Sequence, residues 1–145
     1  SWGRDIDDTL ESLLPRPALI QALAEGRRIK TFINPHVICR ETEKQVADLC
    51  RAIVEAEDAR AIDGLMGTQK CCDQSYWRGH QRNQRIIGGA VHVLETPEQA
   101  VDQFIQLKDA GCDGMQINSF DFAPDLEFFG ERVMPLLTQA GLRYA

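Results

Sequence analysis

The stretch Thr31–Gln45, TFINPHVICRETEKQ, decides the fold because a strand ends and a helix begins within it. Its first part is rich in β-branched and aromatic side chains, which predicts a strand over residues 28–39. Thr42 and Gln45 then have the spacing of a capping box, which predicts the start of an amphipathic helix. A strand that runs directly into such a helix is the repeating unit of α/β proteins.

The rest of the chain alternates in the same way. Short strands are predicted at 90–94 and 115–120, a helix follows Thr96, and a last helix covers 125–140. Right-handed crossovers between such strands give a parallel sheet. Three strands leave two open edges, so we expect this chain to be part of a larger α/β structure.

The predicted organisation has an arm, a main segment and a long loop. Residues 1–27 are read as a polar N-terminal arm with a short helix, and residues 28–145 as the main segment. Residues 64–89 show neither helical nor strand periodicity and are predicted to be a long loop, of the kind that often acts as a lid. The arginines of this loop could close over an anionic ligand, or the loop could simply be a solvated surface segment.

Composition excludes several classes of function. The net charge of −6 argues against nucleic acid or an anionic membrane as the main partner. No apolar run is long enough to span a bilayer. The cysteine number of 5 is odd, and Cys71 adjoins Cys72, so a reduced, cytoplasmic chain without a metal site is expected.

Polar side chains interrupt two of the predicted strands. Asn34 and His36 lie on one face of the first strand, and Gln116 and Asn118 share a face of the last. They lie toward the carboxyl ends of their strands, where parallel α/β folds place their sites. The alternative is a buried histidine satisfied by a backbone carbonyl, or a polar layer within a barrel.

Two segments resemble a known family, the bacterial luciferase-like flavin monooxygenases. ETPEQAVDQFIQLKDAG and the following DLEFFGERVMPLL are similar to the family's "GTPEQVA" helix and its "DLE-FGERV-PLL" ending. PHVICRETEKQ resembles "HV-VRETE" of the alkanesulfonate monooxygenases. SFDFAPDLEFFGERVMPLL is also similar to the ending of the pyrimidine monooxygenases. The dimethylsulfone, alkanesulfonate and pyrimidine branches are therefore the nearest.

The resemblance implies a fold and a reaction. The fold is the C-terminal part, about three β/α units, of a (β/α)8 TIM barrel with parallel strands. The reaction is that of a two-component oxidoreductase, a flavoprotein monooxygenase that uses reduced FMN from a flavin reductase, together with O2, on a small organic molecule. It further implies a missing N-terminal barrel half as a partner, a homo-oligomer when full length, and an isolated chain that is inactive.

The resemblance also assigns roles to residues. His36 corresponds to a strand-end histidine that lines the pocket, which implies a catalytic role and contact with the flavin, and Gln116 is placed with it at the cofactor. The residues implied in substrate binding are Asn34, Arg85, Asn118 and Phe120. Asn34 stands where the alkanesulfonate enzymes have arginine, and Phe120 lies near an active-site tyrosine whose hydroxyl it lacks.

Two other interpretations stay open from the sequence. The chain could be a catalytically inactive, truncated barrel that serves as a binding or assembly module. It could also be a small doubly wound domain that binds a phosphorylated ligand through the arginine-rich loop, which a flavodoxin-like strand order would favour.

Overall fold

The computed structural model describes residues 15–69, 82–88 and 91–143, in which helices alternate with short parallel strands. The helices are α1 (Pro15–Leu23), α2 (Glu43–Glu55), α3 (Ala59–Gln69), α4 (Arg82–Ile87), α5 (Pro97–Asp109), α6 (Phe122–Phe128) and α7 (Met134–Gln139). The strands are β1 (Phe32–Ile33), β2 (Pro35–Cys39), β3 (Val91–Glu95), β4 (Gly114–Met115) and β5 (Asn118–Ser119).

The predicted helix caps are confirmed. The backbone N–H of Gln45 donates to the Thr42 hydroxyl at 3.3 Å, and the Thr42 N–H donates to the Gln45 side-chain oxygen at 3.1 Å. Two orphan donors at the start of α2 are thereby satisfied. Helix α5 ends at Gly111, whose φ of 98° suits a residue without a Cβ, and the Cys112 N–H closes the last turn on the Leu107 carbonyl.

The first and last predicted strands are each broken once, at the same level. Phe32 pairs with Gly114, and His36 pairs with Asn118 in the same register, so β1–β4 and β2–β5 are two parts of one parallel ladder. The break coincides with Pro35, which has no N–H to donate to a neighbouring strand. Proline therefore divides the strand that the sequence predicts as continuous over 28–39.

Strand β2 lies in the middle of the sheet, whose order is β3–β2–β5. The connection from β2 to β3 and the connection from β3 to β5 run in opposite directions across the sheet. Right-handed crossovers in opposite directions place their helices on opposite faces. This accounts for helices on both faces of β2. If the three strands followed their order along the chain, β2 would lie at one edge of the sheet, but it lies in the middle.

Two apolar cores follow from this arrangement. The larger one joins Val37, Cys39 and Val93 to the inner side of α5 and to the last helical segment, which is the continuous helical stretch over residues 122–139. Its buried members on those helices are Ala100, Val101, Phe104, Leu107, Phe129, Val133 and Leu137. On the other face, Ile38 packs against α2 and α4. The buried residues of this smaller core are Ile38, Val46, Cys50, Ile53 and Ile87.

The predicted loop over 64–89 is wrong at both ends, where the structure has helices α3 and α4. The Asp58 carboxylate accepts the Ala61 N–H at 3.0 Å and starts α3, and Arg82 forms ion pairs with Asp63 and Glu57 at 2.6 and 3.1 Å. Two glycines in α3 lower helix propensity, which hid it from the sequence pattern. Residues 70–81, with Cys71 and Cys72, lie outside the described ranges, as do residues 1–14 of the predicted arm.

The last helix begins at Phe122, earlier than predicted, and contains a π-helical turn over Phe129–Val133. The Met134 N–H donates to the carbonyl of Phe129, five residues before it. Pro135 follows immediately, and its ring would clash with the carbonyl four residues earlier in a regular α-helix. The wider turn accommodates the proline.

Among the described helices, none has the length and apolar character needed to cross a membrane.

Candidate functional site

Three polar side chains form a row across the sheet. His36 on β2 is in register with His92 on β3 and with Asn118 on β5. Paired residues of neighbouring parallel strands point to the same face, so these three side chains, here called the polar row, lie side by side. The row is built by three separate segments of the chain, which explains why the sequence did not show it.

The other predicted side chains on the strands flank this row. Alternation puts Asn34 and Gln116 on the same face, one step before it, and both are exposed. On the other side, the Phe120 ring lies 6.3 Å from the His36 ring at 70°, an edge-to-face contact. The sheet therefore brings together five of the six residues predicted for the site, and only Arg85 comes from elsewhere.

His36 is the most enclosed of the predicted residues. Its side chain is 8% exposed, and its Nε2 has no hydrogen-bond partner among the residues that the structure describes. Burial lowers the pKa of His36 below its ordinary value, the neighbouring His92 lowers it further, and Asp125 opposes both. The result is a neutral imidazole with one buried nitrogen that lacks a partner among the described residues.

Gly88 and His92 enclose His36 from one side. A ring nitrogen of His92 hydrogen-bonds the Gly88 carbonyl, and this holds the end of α4 against the sheet. A Cβ added at Gly88 would lie 3.6 Å from the His36 ring. The φ of 96° at Gly88 favours glycine at this close approach. Neither Gly88 nor His92 was predicted as a site residue, and only the β3 pairing reveals them.

Arg85 lies on α4 and not on the sheet. It is half-buried and precedes Gly88 by one helical turn, while Ile87 of the same helix packs into the smaller core. Helix α4 is anchored to the preceding part of the chain through the ion pairs of Arg82. Arg85 therefore belongs to the segment that borders the polar row, rather than to the row itself.

An ion pair closes the carboxyl end of the site. The Arg40 guanidinium donates to Asp125 Oδ1 at 2.8 Å, and the Asp125 side chain is 4% exposed. Asp125 Oδ2 accepts the backbone N–H groups of Phe120 and Asp121 at 3.1 and 2.9 Å. Sequence reasoning missed this pair because its partners are far apart along the chain.

Two clefts lie at the opposite end of the strands. One of about 530 Å³ is lined by residues around Arg28, Lys108 and Asp113, and an adjoining one of about 400 Å³ also contains Arg28 and Asp113. They border the amino ends of the strands, where barrel folds do not place their chemistry. The candidate site is therefore the polar row, identified by its side chains and not by cavity size.

Comparison with known proteins agrees with the resemblance seen in the sequence. No family model matches the chain. FMNH2-dependent dimethylsulfone monooxygenases of Pseudomonas fluorescens (strain Pf0-1) and Pseudomonas putida are 24% and 25% identical to it over 128 residues. Each alignment covers 82% of this chain and 35% of the relative. The pyrimidine monooxygenase RutA of Acinetobacter baylyi (strain ATCC 33305 / BD413 / ADP1) is 26% identical over 121 residues, which are 78% of this chain and 32% of RutA.

The fold agrees as well. The crystal structure of a long-chain alkane monooxygenase, LadA, superposes with a TM-score of 0.74 at 20% identity, over 99% of this chain and 36% of that chain. This shows an α/β fold with parallel strands that is consistent with part of a TIM barrel. The local order β3–β2–β5 nevertheless differs from the sequential order of a barrel and is the order of the first three strands of a flavodoxin-like sheet. The chain spans about a third of the length of the relatives it matches. In sequence and in fold, it therefore resembles part of a flavin-dependent monooxygenase of the luciferase-like family, as its helix and strand motifs predicted.

Proposed function

We propose that this chain is the C-terminal segment of a cytoplasmic, two-component monooxygenase that uses reduced FMN and O2 to oxygenate a small organic substrate. The observation that carries the proposal is the buried, unpartnered Nε2 of His36 in a polar row at the carboxyl ends of parallel strands. The similarity to dimethylsulfone and pyrimidine monooxygenases supports the same reaction class.

The residues of the site fit part of a flavin and substrate pocket. A buried nitrogen without a partner is costly unless a ligand satisfies it, and the His36 imidazole can donate or accept a proton there. Gln116 offers an amide on the same face for the flavin. When bound, reduced FMN supplies the electrons that activate O2, and it is delivered by a flavin reductase.

The substrate is proposed to be a small sulfur compound or a heterocycle. Asn34 and Asn118 present neutral amides that can hydrogen-bond a sulfonyl oxygen or a ring amide, and Phe120 adds an aromatic wall beside His36. Asn34 carries no charge, in contrast to the arginine at this position in enzymes that take anionic sulfonates. Arg85, on the segment that borders the row, is assigned to the substrate side.

The proposed activity requires the rest of a barrel. Asn34, Gln116 and Asn118 are exposed in this chain, so water reaches the face that a reaction with reduced flavin and O2 must keep dry. We therefore propose that the chain by itself is inactive and that an N-terminal barrel half completes the pocket. The family resemblance adds the proposal that the whole protein is a homo-oligomer.

The test uses a polypeptide that contains this sequence within a complete barrel, supplied with a flavin reductase, NADH, FMN and O2. Oxygenation of a sulfone, a sulfonate or a pyrimidine is followed by product analysis. His36→Asn should reduce the turnover strongly, whereas Arg51→Gln, on the exposed side of α2, should leave it unchanged. A barrel that binds neither FMN nor its reduced form would refute the proposal.

The second candidate is a catalytically inactive module for binding or assembly. The exposed polar face favours it for this chain alone. Equilibrium titration of the 145-residue chain with FMN separates the two. Tight binding that His36→Asn weakens counts against the inactive module, and a chain that joins a partner protein without any flavin counts for it.

A further inference from the structure

The turn that follows β2 is tied to the last helical segment by two ion pairs of different character. Arg40 reaches Asp125 at 2.8 Å, and this carboxylate is almost fully buried. Glu41, the next residue, reaches Arg132 at 2.9 Å, and both of those side chains are about half exposed. Both pairs join the same two parts of the chain, but only the first one lies inside the molecule.

Asp125 connects this ion pair to the polar row. Its Oδ1 binds Arg40, while its Oδ2 accepts the N–H groups of Phe120 and Asp121. Both carboxylate oxygens are thus occupied, and the backbone at Phe120 is fixed in the turn that leads from β5 into α6. The ring attached to that backbone is the one that packs edge-to-face on His36.

Arg40 is itself fixed by more than the carboxylate. Its second guanidinium nitrogen donates to the Cys39 carbonyl at 2.6 Å, and its backbone N–H donates to the Glu95 carbonyl at 3.3 Å. The guanidinium is therefore bound to the end of β2 as well as to Asp125, and the Arg40 backbone is bound to the end of β3. A planar group with several donors suits such a position better than an ammonium would.

We infer that Asp125, held by Arg40, is a positioning residue of the proposed site, which sets the place of the Phe120 ring against His36. The inference rests on the proposed role of His36 as the reacting group. Asp125 acts through Arg40 and the backbone at Phe120, and no direct contact with substrate or cofactor is proposed for it. No residue of the pair was among those that the resemblance assigned.

Asp125 also acts on His36 electrostatically, and the direction of its effect on the pKa of His36 is known. The groups that act on His36 are His92 on β3, which lowers its pKa, and Asp125 at the start of the last helical segment, which raises it. Burial is the largest cause and lowers the pKa. Among the described residues, Asp125 is the group that stabilises the imidazolium, so replacing its carboxylate by a neutral amide should lower the pKa of His36 further.

The experiment is an NMR titration of the chain with ¹³C-labelled histidine. The chain has 3 histidines, and His36→Asn assigns the resonance of His36 by its disappearance. Asp125→Asn is expected to lower the pKa of His36 and to weaken the nuclear Overhauser contact between the His36 and Phe120 rings. Asp125→Glu keeps the charge and should leave the pKa close to that of the unchanged chain.

The exposed pair supplies the matched control. Glu41→Gln and Arg132→Gln remove an ion pair between the same two parts of the chain, yet they should leave both the pKa of His36 and the ring contact unchanged. Loss of folding would raise the pKa of His36 toward its unfolded value, so a fall cannot come from unfolding. An unchanged His36 in Asp125→Asn, or an equal change in Glu41→Gln, would overturn the inference.

A variant that fails to fold does not end the test. Asp125→Asn combined with Arg40→Gln removes the half-buried cation that would otherwise be left without its carboxylate, and the contact between the His36 and Phe120 rings must weaken in this variant too. Oxygenation is scored separately in the complete barrel. A barrel without oxygenation whose His36 responds as expected refutes the proposed function alone, and an active barrel whose His36 does not respond refutes the positioning role alone.

Discussion

At the scale of single residues, His36 combines enclosure with an open hydrogen-bonding position. Its ring contacts Phe120 on one side and borders Gly88 on another, and its Nε2 lies buried without a partner among the described residues. Leaving a buried polar atom unsatisfied costs stability, on the order of 1–3 kcal/mol. Such a cost is common where a ligand later supplies the missing contact.

The lowered pKa of His36 makes the stability of the chain depend on pH. The unfolded chain binds a proton near the ordinary histidine pKa of 6.5, whereas the folded chain resists it. The contribution is therefore fully present above pH 6.5 and is lost as the pH falls below that value. Urea unfolding between pH 5 and pH 8 should show this loss, and His36→Gln should have a flatter profile. Identical pH profiles for the unchanged chain and His36→Gln would contradict a lowered pKa of His36.

Two buried thiols are predicted to be unreactive. Burial raises the pKa of Cys39 to about 12 and that of Cys50 to about 11, so almost no thiolate exists at pH 8. Brief iodoacetamide treatment followed by peptide mass mapping should leave both unlabelled in the native chain and label both in urea. Half-buried Cys112 is the internal comparison. Equal labelling of Cys39 in both conditions would count against its burial.

Some of this site could be read from residues alone. Alternation placed Asn34 with His36 on one face of the first strand, and Gln116 with Asn118 on one face of the last, because side-chain direction along a strand is a local property. His92 and the Arg40–Asp125 pair could not be read in this way. Their roles depend on which strands pair and in what register, which is a property of distant segments.

At the scale of secondary structure elements, local sequence signals are enough to predict some helix and strand boundaries but not others. The start of α2 follows from Thr42 and Gln45 alone, and the end of α5 from Gly111. Helix α3 was missed although Asp58 starts it, because its two glycines lower the helix propensity of the segment. The first strand was predicted as continuous, although Pro35 offers a local reason for its break, and the matching break in the last strand has no such local signal.

The cap of α2 can be tested by a single substitution. Thr42→Ala removes the hydroxyl that accepts the Gln45 N–H, and it should lower the free energy of unfolding by about 0.5–2 kcal/mol. Thr138→Ala is the matched control, because its exposed hydroxyl binds a carbonyl within a helix, and it should change stability by less than about 0.5 kcal/mol. Urea denaturation measures both. Equal effects would mean that the cap adds nothing specific.

At the scale of the whole molecule, the larger core joins the sheet to α5 and to the last helical segment. Phe104 lies fully buried at its centre, with its ring 6.3 Å from that of Phe129. Phe104 lies three residues after Val101 on the apolar face of α5, a spacing that is typical of core residues. Which helix it would meet depended on the order of the strands, and the resemblance to a sequential barrel did not reveal that β2 would be central.

This core can be tested against an exposed aromatic residue of the same type. Phe104→Ala should lower the free energy of unfolding by about 3–5 kcal/mol, because it leaves a cavity between α5 and the sheet. Phe122→Ala removes a ring that is 76% exposed and should cost less than about 0.5 kcal/mol. Thermal and urea unfolding of the two variants give the comparison. Similar losses in both would show that the ring of Phe104 is not enclosed.

The central position of β2 has a consequence for how the chain acquires its fold. Both strands that pair with β2 come from the second half of the sequence, so the ladder on either side closes only between distant segments. Folding should therefore be limited by loop closure and not by helix formation. During synthesis, the apolar strand PHVIC leaves the ribosome long before either partner, with both edges open to other chains. A nascent chain at this stage is a natural client for a chaperone, and a fragment that stops before β3 should aggregate.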